Sequence, residues 1–494
     1  MHINPNSEQL DNRTTVHLSI PLIIALCIGV YLICTTVIIS KDGVTFIEYA
    51  QNLSTSFKNT LQSNDQHPGY PFLIVAGHEI AERITEGTSL SGWIYSAQIV
   101  TLACRLLALT TIYFIGKILV GPRQSFWAVL ILIFLPKPVG YGSDALSDWP
   151  HLLFLTTGFL VLLAGAKKER WWCFGLTGII AGMGYLIRPE CAQLVVYGAL
   201  WLGMRLCWPM PAAKRRTALF AMAAMLIGFA VIAGPYMHFK GGIFPKKHVG
   251  EFASDAQSLH EAATYTAALA TPESIKAFGK LLNNIGDTLA WFFLPFLFIG
   301  LCKRFKGQHP STQEKLLLPS LAAVNIAVMI WLYCKHGYMS QRHTLPLIVF
   351  TIFYIPLGIE VAAKWLCDRS AIITNKNLFM ILLIPGISLC LVKLVQPPSY
   401  DKRSYKVAAE WLAENTEKND VIAVPDVRIS FYAQRKGLKY EGEAVPEGVQ
   451  YLVRVFKKGT KSNLPEKIPP QDNLLFSTAA DIDSPMVAIY RRMK

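Results

Sequence analysis

The chain has 494 residues, of which 52% are hydrophobic and only 16% charged, with a mean hydropathy of +0.35. Soluble domains are about a quarter charged, so this composition excludes a string of ordinary soluble domains. The excess of 47 Lys+Arg over 33 Asp+Glu gives a formal charge of +14. In so apolar a chain that excess sets topology through basic cytoplasmic loops, and no nucleic-acid partner is expected.

Residues 16–40 carry no charged side chain. About 20 apolar residues at 1.5 Å rise cross a 30 Å hydrocarbon layer, which makes this run the first permanent span. Later apolar runs predict spans near 93–119, 125–137, 145–166, 172–187, 191–207, 217–238, 288–302, 316–334, 344–366 and 378–395. The chain therefore reads as a polytopic α-helical membrane protein with about eleven transmembrane helices. Residues 71–76 are apolar but too short to cross, and predict a re-entrant or interfacial piece.

With a cytoplasmic N-terminus, one set of loops collects Lys117/Arg123, Lys167/Lys168/Arg170, Arg205/Lys214/Arg215/Arg216, Lys303/Arg304/Lys306/Lys315 and Lys364/Arg369/Lys376. These basic loops fall on one side, as the positive-inside rule requires. The loops 41–70 and 239–286 and the tail then lie opposite, outside the cytoplasm. Residues 1–396 would form the transmembrane domain and 397–494 an extracytoplasmic α/β domain. That tail has helical spacing over 403–415 and short strand-like runs at 421–424, 449–456 and 486–490. The ten cysteines lie in or beside apolar segments with no CxxC pair, and read as packing residues.

Ionisable side chains beside such a bundle are costly and so are functional candidates. They gather on the extracytoplasmic side: Asp42 and Glu48 in KDGVTFIEYA, His67 in QHPGYP, Asp144 and Asp148 in GSDALSDWP, and Arg188 and Glu190 in YLIRPE. Lys335, His336, Arg342 and His343 join them, while Arg105 falls inside the run 93–119. Each has a plain alternative. Asp42 could cap a helix, His67 could serve a turn, and Asp144 and Asp148, read as sharing an i,i+4 helix face, could be a cap plus a bridge to Lys137. Arg188 and Arg342 could be interfacial anchors, and Arg105 could pair with a buried acid for structural reasons. No one alternative explains carboxylates and cations collected on one face.

The order of these pieces resembles the GT-C superfamily of membrane glycosyltransferases, most closely glycosyltransferase family 39, which includes protein O-mannosyltransferases and the aminoarabinose transferase of lipid A. The resemblance runs from Asp42 in KDGVTFIEYA through HPGYP, RLLALTTIYFIGKILVG, SDWPHLLFL, GIIAGMGYLIRPE and QRHTLPL to AAEWLAENTEKNDVIAV in the tail. Two departures stand out. Gly43 follows Asp42 where many relatives carry Asp-Glu, and Gln66-His67 precede the proline where some carry an acid and a lysine. A WWDYG-type signature is absent, since Trp171-Trp172-Cys173 lies beside a cytoplasmic loop; this counts against the large-oligosaccharide branch.

The resemblance implies a plasma (inner) membrane enzyme that moves one sugar from a polyprenyl-phosphate donor to an extracytoplasmic hydroxyl of a protein, lipid or glycan, with inversion. A phosphate monoester leaves as an anion and calls for cations, for which Arg342 and Arg188 are first choices, followed by His67, Arg105 and His343. The acceptor hydroxyl calls for a base, for which Asp42 is the candidate. Glu48, Tyr49, Tyr70, Asp144, Asp148 and Glu190 are expected to line the substrate site. No paired acid stands beside Asp42, so no obligatory metal is expected; Mg²⁺ or Mn²⁺ is compatible but not favoured. A lipid-linked sugar transporter, or a non-catalytic glycan-binding relative, would also fit a charged helical bundle.

Overall fold

The computed structural model describes residues 5–85, 89–208, 211–242, 272–307, 310–369, 374–440, 445–456, 472–478 and 484–492. The expected 239–286 loop therefore lies largely outside the described residues. Its last part, however, is a helix, Pro272–Thr288.

The helices follow the apolar runs. In chain order they are α1 (Pro5–Thr35), α2 (Lys41–Thr55), α3 (Phe57–Ser63), α4 (Gly69–Thr85), α5 (Leu90–Leu119), α6 (Pro122–Phe134) and α7 (Pro136–Tyr141). Then come α8 (Asp148–Lys168), α9 (Trp171–Ile187), α10 (Gln193–Cys207), α11 (Ala212–Lys240), α12 (Pro272–Thr288), α13 (Leu294–Gly307) and α14 (Thr312–His336). The bundle closes with α15 (Leu345–Thr351), α16 (Tyr354–Cys367) and α17 (Asn375–Leu394). Among the described residues six helices are long and apolar enough to cross a membrane. A seventh span results if Gln341–Thr351 and Tyr354–Cys367, bent by 63°, count as one. Each predicted span holds a helix, but α6, α9, α10 and α13 are short, so the count of eleven does not follow from length and hydropathy.

Two boundaries differ from expectation. The span expected from 288 begins at Leu294, because Ala290 and Trp291 take positive φ (53° and 60°) and turn the chain first. Residues 71–76 are not an isolated piece: they belong to the 17-residue helix α4. Close helix packing uses small residues, as in other membrane bundles. Gly300 of α13 and Gly358 of α16 face each other, and a Cβ on either would meet the backbone of the other helix at Phe296 or Tyr354.

The tail is a mixed sheet with two helices, α18 (Arg403–Asn415) and α19 (Val427–Ala433). Strands β1 (Val421–Val424), β2 (Lys436–Lys439), β3 (Tyr451–Phe456), β4 (Asp472–Ser477) and β5 (Met486–Arg492) run in the order β2-β1-β3-β5-β4. β1 pairs parallel with β2 and β3, while β5 pairs antiparallel with β3 and β4. The domain docks on the α1–α2 junction. Ile38 joins its core, Val37 N–H donates to Pro398 O (3.2 Å), and Ile39 N–H donates to the Tyr432 hydroxyl (3.0 Å). At the same end of the bundle, Lys240 donates to the carbonyls of Gln62 (3.0 Å) and Asn64 (2.7 Å).

Candidate active site

The site begins where α1 gives way to α2. Ser40 caps α2 by accepting the Gly43 N–H (3.2 Å), which sets Asp42 in the first helical turn. A carboxylate there is favoured by the helix dipole. The Asp144 carboxylate holds the same turn by accepting the Ser40 N–H (3.2 and 3.1 Å). Burial raises the Asp144 carboxyl above the usual range, although the Ser40 and Ala145 N–H groups oppose the shift. Gly43 has a steric reason: a Cβ there would stand 3.0 Å from Ala145 O and 3.1 Å from the Ala145 methyl.

From Asp42 a chain of paired charges leads into the bundle. Arg342 Nη2 contacts the Asp42 carboxylate, and its Nη1 lies 3.5 Å from Asp148 Oδ2. Arg188 Nη1 donates to Asp148 Oδ1 (2.8 Å), and Arg188 Nε lies 3.8 Å from Glu190. Asp148, at the start of α8, has a side chain only 2% exposed and is shared by both arginines. Burial pulls both guanidinium groups toward deprotonation. The carboxylates of Asp148 with Glu190 for Arg188, and of Asp148 with Asp42 for Arg342, outweigh it and hold both above the ordinary arginine range. Burial and the nearby Arg188 charge lower His343, which favours a neutral imidazole.

Arg188, Glu190, Arg342, His343 and Asp148 line one cavity, together with His151, Gln193, Asn325 and an apolar wall that includes Leu152 and Met329. Beside it runs an apolar groove between α12, α13, α14 and the bent pair, lined by Leu281, Ile285, Leu297, Ile326 and Leu347 among others. Met329 of the cavity packs with Leu281 and Leu347 of the groove in one apolar cluster, so the two spaces adjoin.

The sequence candidates divide. Asp42, Asp148, Arg188, Glu190, Arg342 and His343 come together. Asp144 and Asp148 do not share a helix face, because α8 starts only at Asp148. Glu48 lies further along α2, where burial raises its carboxyl. Tyr49 is buried on that helix. Tyr70 is buried between α4 and α5, its hydroxyl 2.7 Å from Thr101 Oγ1. His67 is 1% exposed and packs on Tyr185 and Tyr236, with ring centroids 5.1 and 5.3 Å away. Arg105 is fully buried over the Trp149 ring (5.8 Å) and does not line the cavity. His151, Gln193 and Asn325 escaped the sequence reading, although a polar side chain within an apolar run is itself a signal.

Residues 68–234 match the family described as dolichyl-phosphate-mannose-protein mannosyltransferase. No curated protein matches the chain in sequence. In three dimensions the chain is similar to ArnT from Cupriavidus metallidurans bound to undecaprenyl phosphate, with a TM-score of 0.56 at 13% identity over 96% of this chain and 97% of that one. It is also similar to the oligosaccharyltransferase of Archaeoglobus fulgidus tethered to an acceptor peptide, with a TM-score of 0.58 at 11% identity over 90% of this chain and 69% of that one. The chain thus has the GT-C fold of the membrane glycosyltransferases, and its residues 68–234 match the mannosyltransferase family within that superfamily.

Proposed function

We propose that this protein is a glycosyltransferase that moves a single sugar from a polyprenyl-phosphate donor to an acceptor hydroxyl on the extracytoplasmic side of the plasma membrane. The N-terminus is cytoplasmic, and the tail domain and the α1–α2 junction face outward. The observation that carries this reading is the chain Asp42–Arg342–Asp148–Arg188–Glu190, opening on a cavity that adjoins an apolar groove. The groove suits an isoprenoid tail, and the arginines suit its phosphate. The solved relative whose structure holds undecaprenyl phosphate, and the family match to dolichyl-phosphate-dependent enzymes, support the same donor class.

In this reading the acceptor oxygen attacks the anomeric carbon from the side opposite the phosphate, so the centre inverts. Asp42 takes the hydroxyl proton as the new C–O bond forms. The old C–O bond breaks with its electron pair passing to the phosphate, whose charge Arg342 and Arg188 hold in paired hydrogen bonds. Guanidinium groups, rather than a metal ion, neutralise both the carboxylates and the leaving group. Mass spectrometry of glycolipids and glycoproteins from cells with and without the chain identifies the product, and with it whether the acceptor is a protein, lipid or glycan. Purified protein in vesicles should release sugar from a polyprenyl-phosphate hexose to acceptors outside. Movement of intact donor across the vesicle without sugar release would replace this reading with a transporter.

A further inference from the structure

The cavity has an inner wall that the transfer step does not use. Gln193 opens α10, and Asn325 lies within α14, about 16 Å along that helix from its end at His336. Asn325 stands within an apolar span and both carboxamides are half-buried in the cavity wall, so a polar atom left unpaired there is available to a ligand. Some of their polar atoms are engaged. Asn325 Nδ2 lies 3.0 Å from Gln193 Oε1, 3.2 Å from the Tyr197 hydroxyl and 2.9 Å from Leu321 O. The Tyr197 hydroxyl donates to Gln193 Oε1 as well (2.6 Å). Gln193 Oε1 thus faces the network, and its Nε2 is left for something else. Among the described residues no hydrogen bond engages Gln193 Nε2 or Asn325 Oδ1, and both residues line the cavity.

We propose that Gln193 and Asn325 form the sugar subsite and that it takes a neutral sugar, with Gln193 Nε2 donating to one ring hydroxyl and Asn325 Oδ1 accepting from another. This rests on the donor reading above. A hydroxyl both donates and accepts, so a row of sugar hydroxyls is the match for an N–H beside a C=O. A cationic amino sugar is not matched, because both carboxylates of the lining, Asp148 and Glu190, already face Arg188. An acidic sugar is not matched either, because the arginines are committed to those carboxylates and to the phosphate. Leu152, Val328 and Met329 offer apolar contact to the face of the ring.

The test uses the full chain in nanodiscs and three probes: bare polyprenyl phosphate, polyprenyl-phosphate hexose, and the same lipid carrying an amino-deoxy hexose. The two added hydrogen bonds should make the hexose lipid bind about tenfold tighter than the bare lipid, with the amino sugar gaining little. Asn325→Leu and Gln193→Met should bring the hexose-to-bare affinity ratio close to one. Asn325→Asp keeps the shape of the side chain and adds a carboxylate, so it should move preference toward the amino sugar. The subsite is overturned if all three variants keep the parent's hexose preference, or if the parent favours the amino sugar or binds hexose and bare lipid alike. If the parent binds none of the three lipids, the donor reading itself falls and the subsite with it.

Discussion

Asp42 and Arg342 are 300 positions apart in sequence and in contact in space, and their roles are separable. Asp42→Asn keeps the shape of the side chain and removes most of its basicity. It should bind polyprenyl-phosphate donor as the parent does, yet transfer sugar about 10²–10⁴ times more slowly in a single-turnover assay. Glu48→Gln should do much less, because Glu48 stands outside the chain of paired charges. A dead Glu48→Gln beside a fully active Asp42→Asn would exchange the two assignments. Arg342→Ala removes one member of a partly buried charge network, so donor affinity should fall about thirtyfold or more. Arg342→Lys should recover only part of it, since an ammonium cannot bridge Asp42 and Asp148 as the planar fork does. Equal donor affinity in Arg342→Ala and the parent, measured by titration, would remove Arg342 from the phosphate site. At this scale the sequence was legible where a charge in an apolar chain singles a residue out: Asp42, Arg188 and Arg342, named for that reason, do come together in space. It was silent where tertiary neighbours decide: Tyr70 and Asp144 look like site residues in one dimension but hold helices together. Gln193 and Asn325, embedded in apolar runs, are matched only after α10 and α14 meet.

Among the elements, the α1–α2 junction is the one on which the site depends. It is fixed from three directions: Ser40 caps α2, Asp144 accepts the Ser40 N–H, and Tyr432 of the tail holds Ile39. Gly43 sits tightly against Ala145, where even a Cβ would crowd the Ala145 oxygen and methyl. Gly43→Glu, which restores the acid common among resembling proteins, should therefore push α2 off the 144–146 segment instead of adding a second acid. The expected result is a lowered melting temperature together with impaired transfer; a stable, fully active Gly43→Glu would show that the junction can give way. Long helices were readable because an apolar run of span length has few alternatives. Some other elements were not. Helix α4 mixes Gly, Pro and charged residues, strand β2 is only four residues with two lysines and a glycine, and β4 is a short strand at the sheet edge. Their pairing with β1 and β5 supplies what their own sequence lacks.

For the whole molecule, the sidedness argued from charge and the packing seen in space are independent, and they agree on what lies together. The tail domain touches the α1–α2 junction, and Lys240 reaches residues 62–64, so these regions share one end of the bundle. The proposed orientation puts that end outside. Asn419→Cys, exposed in the tail, should gain reactivity toward an impermeant thiol reagent in intact cells whose outer envelope is permeable. Lys168→Cys, exposed at the end of α8, should gain it only after the inner membrane is lysed. The opposite pattern would invert the topology.

The contact between Asp42 and Arg342 also bears on the order of events in a catalytic cycle. While the guanidinium holds the carboxylate, an acceptor that arrives first meets a base already engaged. A phosphate that recruits Arg342 loosens that hold as it binds. Steady-state kinetics should then follow an ordered sequential scheme with the donor leading. Released polyprenyl phosphate should act as a competitive inhibitor against donor and a noncompetitive one against acceptor.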